Sequence, residues 1–315
     1  MKLDFDICNG GRINGQNIIG IRYNGIDIFS LIGYYNAYTV EILPDGNKTV
    51  EFDPIYSTHY CKEKDLYYNM GDGSVFYEKI TSYTYNEPGT YLIITVGELF
   101  SGSDLDSNYK VAAINGIRRD IKNLNRFCSN YSGLREFNPI NVNTSNVTDM
   151  SFMFSNCELL TELDLSNLDT SNVTKMNRMF DLCSSLIELD ISNFDTSSVT
   201  DISNMFNSCS SLTSLDLSNF VTGNVINMKQ MFANCNSLEV LNLSNFDASS
   251  VTDASYMFYK CNNLHTLYLN NCSNETVNKI ITSYGFPKNV GTIYCSRAAA
   301  SGLTEPGNWS FSYID

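Results

Sequence analysis

The sequence predicts a multi-domain chain, with an all-β N-terminal region followed by a C-terminal α/β solenoid of 26-residue repeats. Three observations carry this. Cys157, Cys183, Cys209, Cys235 and Cys261 stand 26 residues apart, and before them come Met153-Phe154, Met179-Phe180, Met205-Phe206, Met231-Phe232 and Met257-Phe258. A second column, Asn141, Asn167, Asn193, Asn219, Asn245 and Asn271, keeps the same period. Residues 38–97 have a different texture, with short β-rich runs broken by turns. One 26-residue unit cannot bury its own apolar face, so the units must stack and share a continuous core.

The elements follow in chain order. Residues 1–37 read as a β-hairpin docking segment, because Asn24-Gly25 separates two β-rich runs in a two-residue hairpin signal. The segment either adds a sheet to the domain that follows or docks onto a larger assembly. Within 38–97, Gly71-Asp72-Gly73 suits a tight hairpin and Pro88-Gly89 suits a type II turn, ahead of a strand over 91–96. Residues 98–130 form a junction and N-terminal cap, whose basic pair Arg118-Arg119 reads as solvated. The solenoid spans 131–272. A C-terminal cap spans 273–315, with a helix over 275–283 and strands near 292–295 and 309–314.

Inside one repeat, Leu163 and Leu165 alternate with Glu162, Asp164 and Ser166, the period of a half-buried strand. Asn167 stands where the chain must turn, and an inward amide there is expected to bond the next coil and form a ladder. Val173, Met176, Met179, Phe180 and Cys183 then mark one face of a short helix, with Thr174 as its N-cap.

These residues resemble the leucine-rich repeats of the BspA-like bacterial surface proteins, whose unit is matched almost position by position over 186–209. The resemblance covers about 131–272 and implies a horseshoe-like solenoid used for adhesion or protein binding. Residues 38–97 resemble a PKD-type domain, a small immunoglobulin-like β-sandwich, with Tyr68 where the family commonly has Trp and Tyr83 where it often has His. That likeness implies a spacer or interaction module.

Charge narrows the function. The chain holds 20 Lys+Arg against 34 Asp+Glu, a net of −14, so a nucleic-acid partner is not expected. No apolar run is long enough for membrane insertion. Residues 131–272 alone carry 5 basic and 15 acidic side chains, which favours solubility and can steer a cationic partner. Ten cysteines invite a metal or disulfide reading, yet no Cys-x-x-Cys pair occurs. The columns Cys157, Cys183, Cys209, Cys235 and Cys261 read as small buried hydrophobes, and no metal or cofactor is expected. Asp45, Asp53, Asp65 and Asp72 lack the ligand density of a calcium loop.

The expected binding surface is the exposed strand face, through Glu162, Asp164, Glu188, Asp190, Ser214, Asp216, Val240, Asn242, Thr266 and Tyr268. The row Asp164, Asp190 and Asp216 reads equally as a recognition surface or as a solvated edge. The function expected is non-enzymatic adhesion, recognising a cell-surface protein or glycan receptor. The N-terminus lacks a recognisable signal peptide, which suggests synthesis in the cytoplasm and a bacteriophage virion, as a tail or capsid appendage, with assembly partners for the N-terminal β region. A bacterial adhesin exported by another route and an intracellular scaffold are the alternatives. A homo-oligomer is compatible with all three.

Overall fold

The computed structural model describes the strand backbones between residues 6 and 116, and residues 123–137 and 143–314 (the side chains of Glu136 and Glu162 aside). Two compact units divide the chain, the first centred on residues 1–102 and 107–120, the second on 121–137 and 143–315.

In the first unit, β1 (Asp6–Ile13), β2 (Gln16–Tyr23) and β3 (Ile26–Leu31) form an antiparallel sheet. Tyr23 pairs with Ile26 and Ile13 with Gln16, the registers that two-residue connections demand. A second antiparallel set joins β4 (Tyr35–Ile42), β6 (Tyr67–Asn69), β7 (Val75–Phe76), β9 (Gly89–Val96) and β10 (Tyr109–Gly116) in the order β10-β4-β9-β6-β7. A separate pair joins β5 (Thr49–Glu51) and β8 (Ser82–Thr84). The packing that would define the immunoglobulin-like sandwich, and the loops carrying Asp45, Asp53, Asp65 and Asp72, lie outside the described residues.

The second unit is a stack of 26-residue coils, but the helix expected in each coil is absent. Met179, Asp181 and Cys183 donate backbone N–H bonds three residues back, each at 3.2 Å. Between them, Met176, Arg178, Phe180 and Leu182 donate to Asp201, Ser203, Met205 and Asn207 of the next coil at 2.8–3.0 Å. An α-helix would spend every donor along its own axis and leave nothing to join the coils. The ribbon of turns divides its donors, half closing turns and half binding the neighbouring coil. Thr174 is accordingly no N-cap, since its amide and its hydroxyl both donate to the Thr148 carbonyl of the preceding coil, at 2.9 and 3.1 Å.

In each coil this ribbon holds two left-handed residues, four positions apart. Arg178 and Leu182 have φ of 58° and 64°, and their equivalents from Arg126 and Asn130 to Tyr256 and Lys260 do the same. Asn tolerates that conformation and a branched aliphatic does not. Leu182 is 40% exposed, so it contributes little burial in return. Leu182→Asn is expected to raise stability by about 0.5–1 kcal/mol, read as a higher urea midpoint at unchanged slope.

The strand half of each coil is short. β11 (Glu136–Phe137) pairs in parallel with β12 (Glu162–Leu163). At the other end β13 (Val240–Asn242), β14 (Thr266–Tyr268), β15 (Gly291–Cys295) and β16 (Trp309–Tyr313) form a parallel sheet. Between these, residues 188–190 and 214–216 run without regular strand, although Leu189 and Leu215 remain buried.

The core is a set of columns. Phe154, Phe180, Phe206, Phe232 and Phe258 stack face to face with centroids 5.7–5.9 Å apart. Edge-on rings close the stack, Phe137 at one end and Phe286 at the other. Trp309 lies edge-on to Phe286. Gly291 makes room for it, because a Cβ there would come within 2.6 Å of the indole.

A column that the sequence reading missed joins the coils most directly. Buried Thr196 donates its hydroxyl to the Val221 carbonyl at 3.0 Å and accepts the Val221 amide at 2.8 Å. Thr144, Thr170 and Thr222 clamp Asp169, Asp195 and Asp247 in the same way. Ala248 breaks the column, and the C-terminal helix α1 (Asn274–Ile281) takes over. Its Thr276 hydroxyl accepts the Ala248 amide, and Lys279 Nζ donates to the Ala248 and Ser249 carbonyls. A short helix α2 (Arg297–Ala300) follows β15.

The cysteine column does more than fill space. Cys183, Cys209, Cys235 and Cys261 donate S–H to the carbonyls of Phe154, Phe180, Phe206 and Phe232 in the preceding coil, at 2.9–3.2 Å. Cys157 donates to the Cys128 carbonyl. All eight described cysteines are buried. Burial pushes the thiols up, to about 12 at Cys261 and Cys272. The unfolded chain releases these protons near pH 8.5, so stability falls as pH rises from there toward the folded values. In the native protein at neutral pH, a thiol reagent is expected to label at most two of the ten cysteines, Cys8 and Cys61, and all ten only after unfolding.

Candidate binding face

The outward side chains of the strand half form two columns. One runs through positions 162, 188, 214, 240 and 266, the other through 164, 190, 216, 242 and 268. Strand register fixes the direct neighbours, with Val240 beside Thr266 and Asn242 beside Tyr268. Glu188, Asp190, Ser214, Asp216, Val240 and Asn242 are exposed, and Thr266 and Tyr268 are half-buried. The Glu162 side chain lies outside the described residues.

The acidic row has a local job. Asp164 Oδ1 accepts the Ser166 amide at 3.0 Å and its hydroxyl at 2.6 Å. Asp190 and Asp216 accept the Ser192 and Ser218 amides, and Asn242 accepts that of Ser244. Each is an Asx turn that takes the chain off the strand. Two further Asp-x-Ser columns do the same at other corners, including Asp195 with Ser197, Asp247 with Ser249 and Asp253 with Ser255. These hydrogen bonds hold the carboxyls of Asp164, Asp169, Asp190, Asp195, Asp216, Asp247 and Asp253 below the ordinary carboxylate range. The unfolded chain takes up the same protons near the usual value of about 3.9. Between the two values the unfolded state binds more protons, so stability drops as pH falls through that window. Asp181 runs the other way, because burial raises it despite Asn207 and Arg178. The seven lowered carboxyls predict a urea midpoint that falls as pH drops below about 4.

The asparagine column faces outward, contrary to the inward ladder expected. Asn167, Asn193, Asn245 and Asn271 are exposed and Asn219 is half-buried. Asn193, Asn219, Asn245 and Asn271 reach back to the preceding coil. Asn193 Nδ2 donates to the Leu165 and Leu168 carbonyls at 3.0 Å, and Asn219 Nδ2 to those of Ile191 and Phe194. Asn245 donates to Ser218 O, and Asn271 to Asn245 Oδ1. The position follows the corner, where a side chain long enough to span one coil spacing meets free carbonyls without entering the core.

Four residues extend the face beyond those named from sequence. β15 carries Thr292 and Tyr294 in register with Thr266 and Tyr268, and β16 adds Ser310 and Ser312. The signal was present, because Thr292-Ile293-Tyr294 repeats Thr266-Leu267-Tyr268 at 26 residues. The helical coil between them hid it. Tyr268 and Tyr294 stack at 4.8 Å with an 18° tilt. Beside them, His265 Nδ1 lies 2.9 Å from the Thr266 hydroxyl, and its Nε2 lies 3.9 Å from exposed Glu239.

The repeating residues of this face and core match one described family over residues 120–239 and 186–285, more than half of the chain. The chain belongs to the DUF285 family. That family is described as a Mycoplasma protein of unknown function, and its repeat is the BspA-like unit. No curated protein and no solved structure matches the chain. Among the described residues of this DUF285 protein, no three His, Cys, Asp or Glu side chains converge where a metal ion would sit. None of the described helices is long and apolar enough to cross a membrane.

Proposed function

We propose that this DUF285 protein is a non-enzymatic recognition protein that acts in surface attachment, binding a cell-surface protein or glycan through the strand face of its solenoid. One observation supports the reading. The core columns repeat almost without change, while the outward columns read Glu, Glu, Ser, Val, Thr and Asp, Asp, Asp, Asn, Tyr over five coils. A rigid frame that displays different side chains at a fixed pitch is suited to recognition, because little conformational entropy is lost when it binds.

The test is binding of the labelled full chain to intact bacterial cells. A double variant, Ser214→Arg with Val240→Arg, alters two exposed positions of the face. Ile226→Arg, at an exposed position off that face, is the control. Saturable binding by the parent and the control, with loss in the double variant, is the expected result. Equal binding by all three removes the strand face from the proposal. The virion setting has its own measurement, proteomics of purified phage particles from the source. Finding the protein in cells but not in particles would refute that setting.

A further inference from the structure

The outward face changes character along the stack. The columns carry Glu188, Asp190 and Asp216 in the middle coils, all exposed. Over β14, β15 and β16 the same two columns carry Thr266 and Tyr268, Thr292 and Tyr294, Ser310 and Ser312. All six bear a hydroxyl group, and none bears a charge or an aliphatic side chain. Protein hot spots gather Trp, Tyr and Arg among apolar neighbours; this patch has the tyrosines but no Trp, Arg or aliphatic anchor beside them. Its single aromatic feature is the tyrosine pair.

The geometry of that pair leaves a specific vacancy for a ligand. Tyr294 turns one ring face to Tyr268 at 4.8 Å. Its neighbour on the other side is Ser312, paired with it in register. Tyr294 is half-buried, and a serine is too short to cover the whole of a phenol ring, so part of that face is left to solvent. The chain's one tryptophan is buried against Phe286 and does not compete for the role. The open ring face of Tyr294 therefore lies beside Ser312 and Ser310, on a parallel sheet that holds it in place.

We infer that this patch binds a neutral carbohydrate, with one sugar ring laid on the free face of Tyr294 above Ser310 and Ser312. The C–H groups on one face of a pyranose carry partial positive charge and meet the negative face of an aromatic ring. The ring hydroxyls meet those of Thr292, Ser310 and Ser312. Neutral sugars fit because none of the six side chains is a cation that could hold a sialic acid, sulfate or phosphate, and the solenoid's acidic surplus repels one. This inference rests on the proposed recognition role and names the ligand class of one end of that face.

The experiment uses the full chain on a printed array of neutral, sialylated and sulfated oligosaccharides. Saturation-transfer NMR on any neutral hit then identifies the protons that touch the protein. The variants are Tyr294→Ala, Tyr294→Phe, Ser312→Tyr and, as a control at an exposed tyrosine off the patch, Tyr284→Ala. Neutral oligosaccharides are expected to bind, with saturation strongest at the C–H protons of one sugar face. Affinity should fall at least tenfold in Tyr294→Ala and in Ser312→Tyr, which fills the space beside the ring. It should be kept in Tyr294→Phe and Tyr284→Ala. Absence of neutral hits, a preference for anionic glycans, or equal affinity in Tyr294→Ala each overturns the inference. Cell binding separates the two readings. Binding that survives periodate oxidation of cell glycans but not trypsin overturns the sugar site and leaves recognition standing. No binding to any cell tested removes both the recognition role and the reason for the site.

Discussion

Phe206→Ala is expected to destabilise the solenoid by about 3–5 kcal/mol, read from urea unfolding of the full chain. Phe206 is fully buried at the centre of the ring stack, with Phe180 and Phe232 at 5.7 and 5.8 Å. Truncation removes the transfer energy of the ring and both stacking contacts, and leaves a cavity in the column. The coils above and below are fixed by backbone bonds, including Phe206 N–H to Met231 O at 2.9 Å, so they cannot collapse into the space. Because each coil touches only its neighbours, the damage should stay local. Hydrogen exchange is the second readout, and amides of the coils around Phe206 should open well before those near Trp309. A loss under 1 kcal/mol with uniform exchange would mean that the stack relaxes freely.

Thr196→Val is expected to cost about 2–4 kcal/mol, although it changes the side-chain volume little. The Thr196 hydroxyl is the partner of both the amide and the carbonyl of Val221. Valine removes it and leaves two backbone groups facing a buried methyl, each with a desolvation penalty of about 1–3 kcal/mol. Thr196→Ser keeps the hydroxyl and should recover most of the loss. That contrast separates the hydrogen-bond clamp from simple packing, because Ser is the smaller residue. Equal destabilisation by Val and Ser would assign the column to packing alone.

Both predictions concern columns, and the columns differ in how readable they were. The Met-Phe and Cys columns stood out because they are chemically unusual and never vary. The threonine column at Thr144, Thr170, Thr196 and Thr222 kept the same period. Thr is common in this chain, and by sequence alone it reads as an exposed turn residue. Its burial follows from the stacking of the next coil, which periodicity does not reveal. The Asp-x-Ser corners are visible in the sequence as acidic residues, but acidity alone does not show the hydrogen bond to the serine two residues on. Charge left recognition and a solvated edge equally open, and hydrogen bonding adds a structural role to the same residues.

The helix expected over Val173, Met176, Met179, Phe180 and Cys183 marks the limit of pattern reading. A ribbon of turns and a helix place the same apolar residues inward over so short a span. They differ in where the backbone donors go, and that is decided by the coil alongside. The left-handed positions add a clue in hindsight, since Asn130, Asn156 and Asn234 recur at one of them. Leu182 and Phe152 at such positions blur it.

The sequence by itself determined the repeat length, the membership of the core columns, the family and the C-terminal helix. Those features follow from which side chains avoid water, and their period is written along the chain. Only the tertiary structure decided that the coils are joined by a turn ribbon and a threonine clamp. The same holds for the outward asparagines and for the continuation of the outward strand face through Tyr294 to Ser312. Each of these depends on what the neighbouring coil offers to an unpaired backbone group or an open ring face, and that neighbour exists only once the chain has stacked.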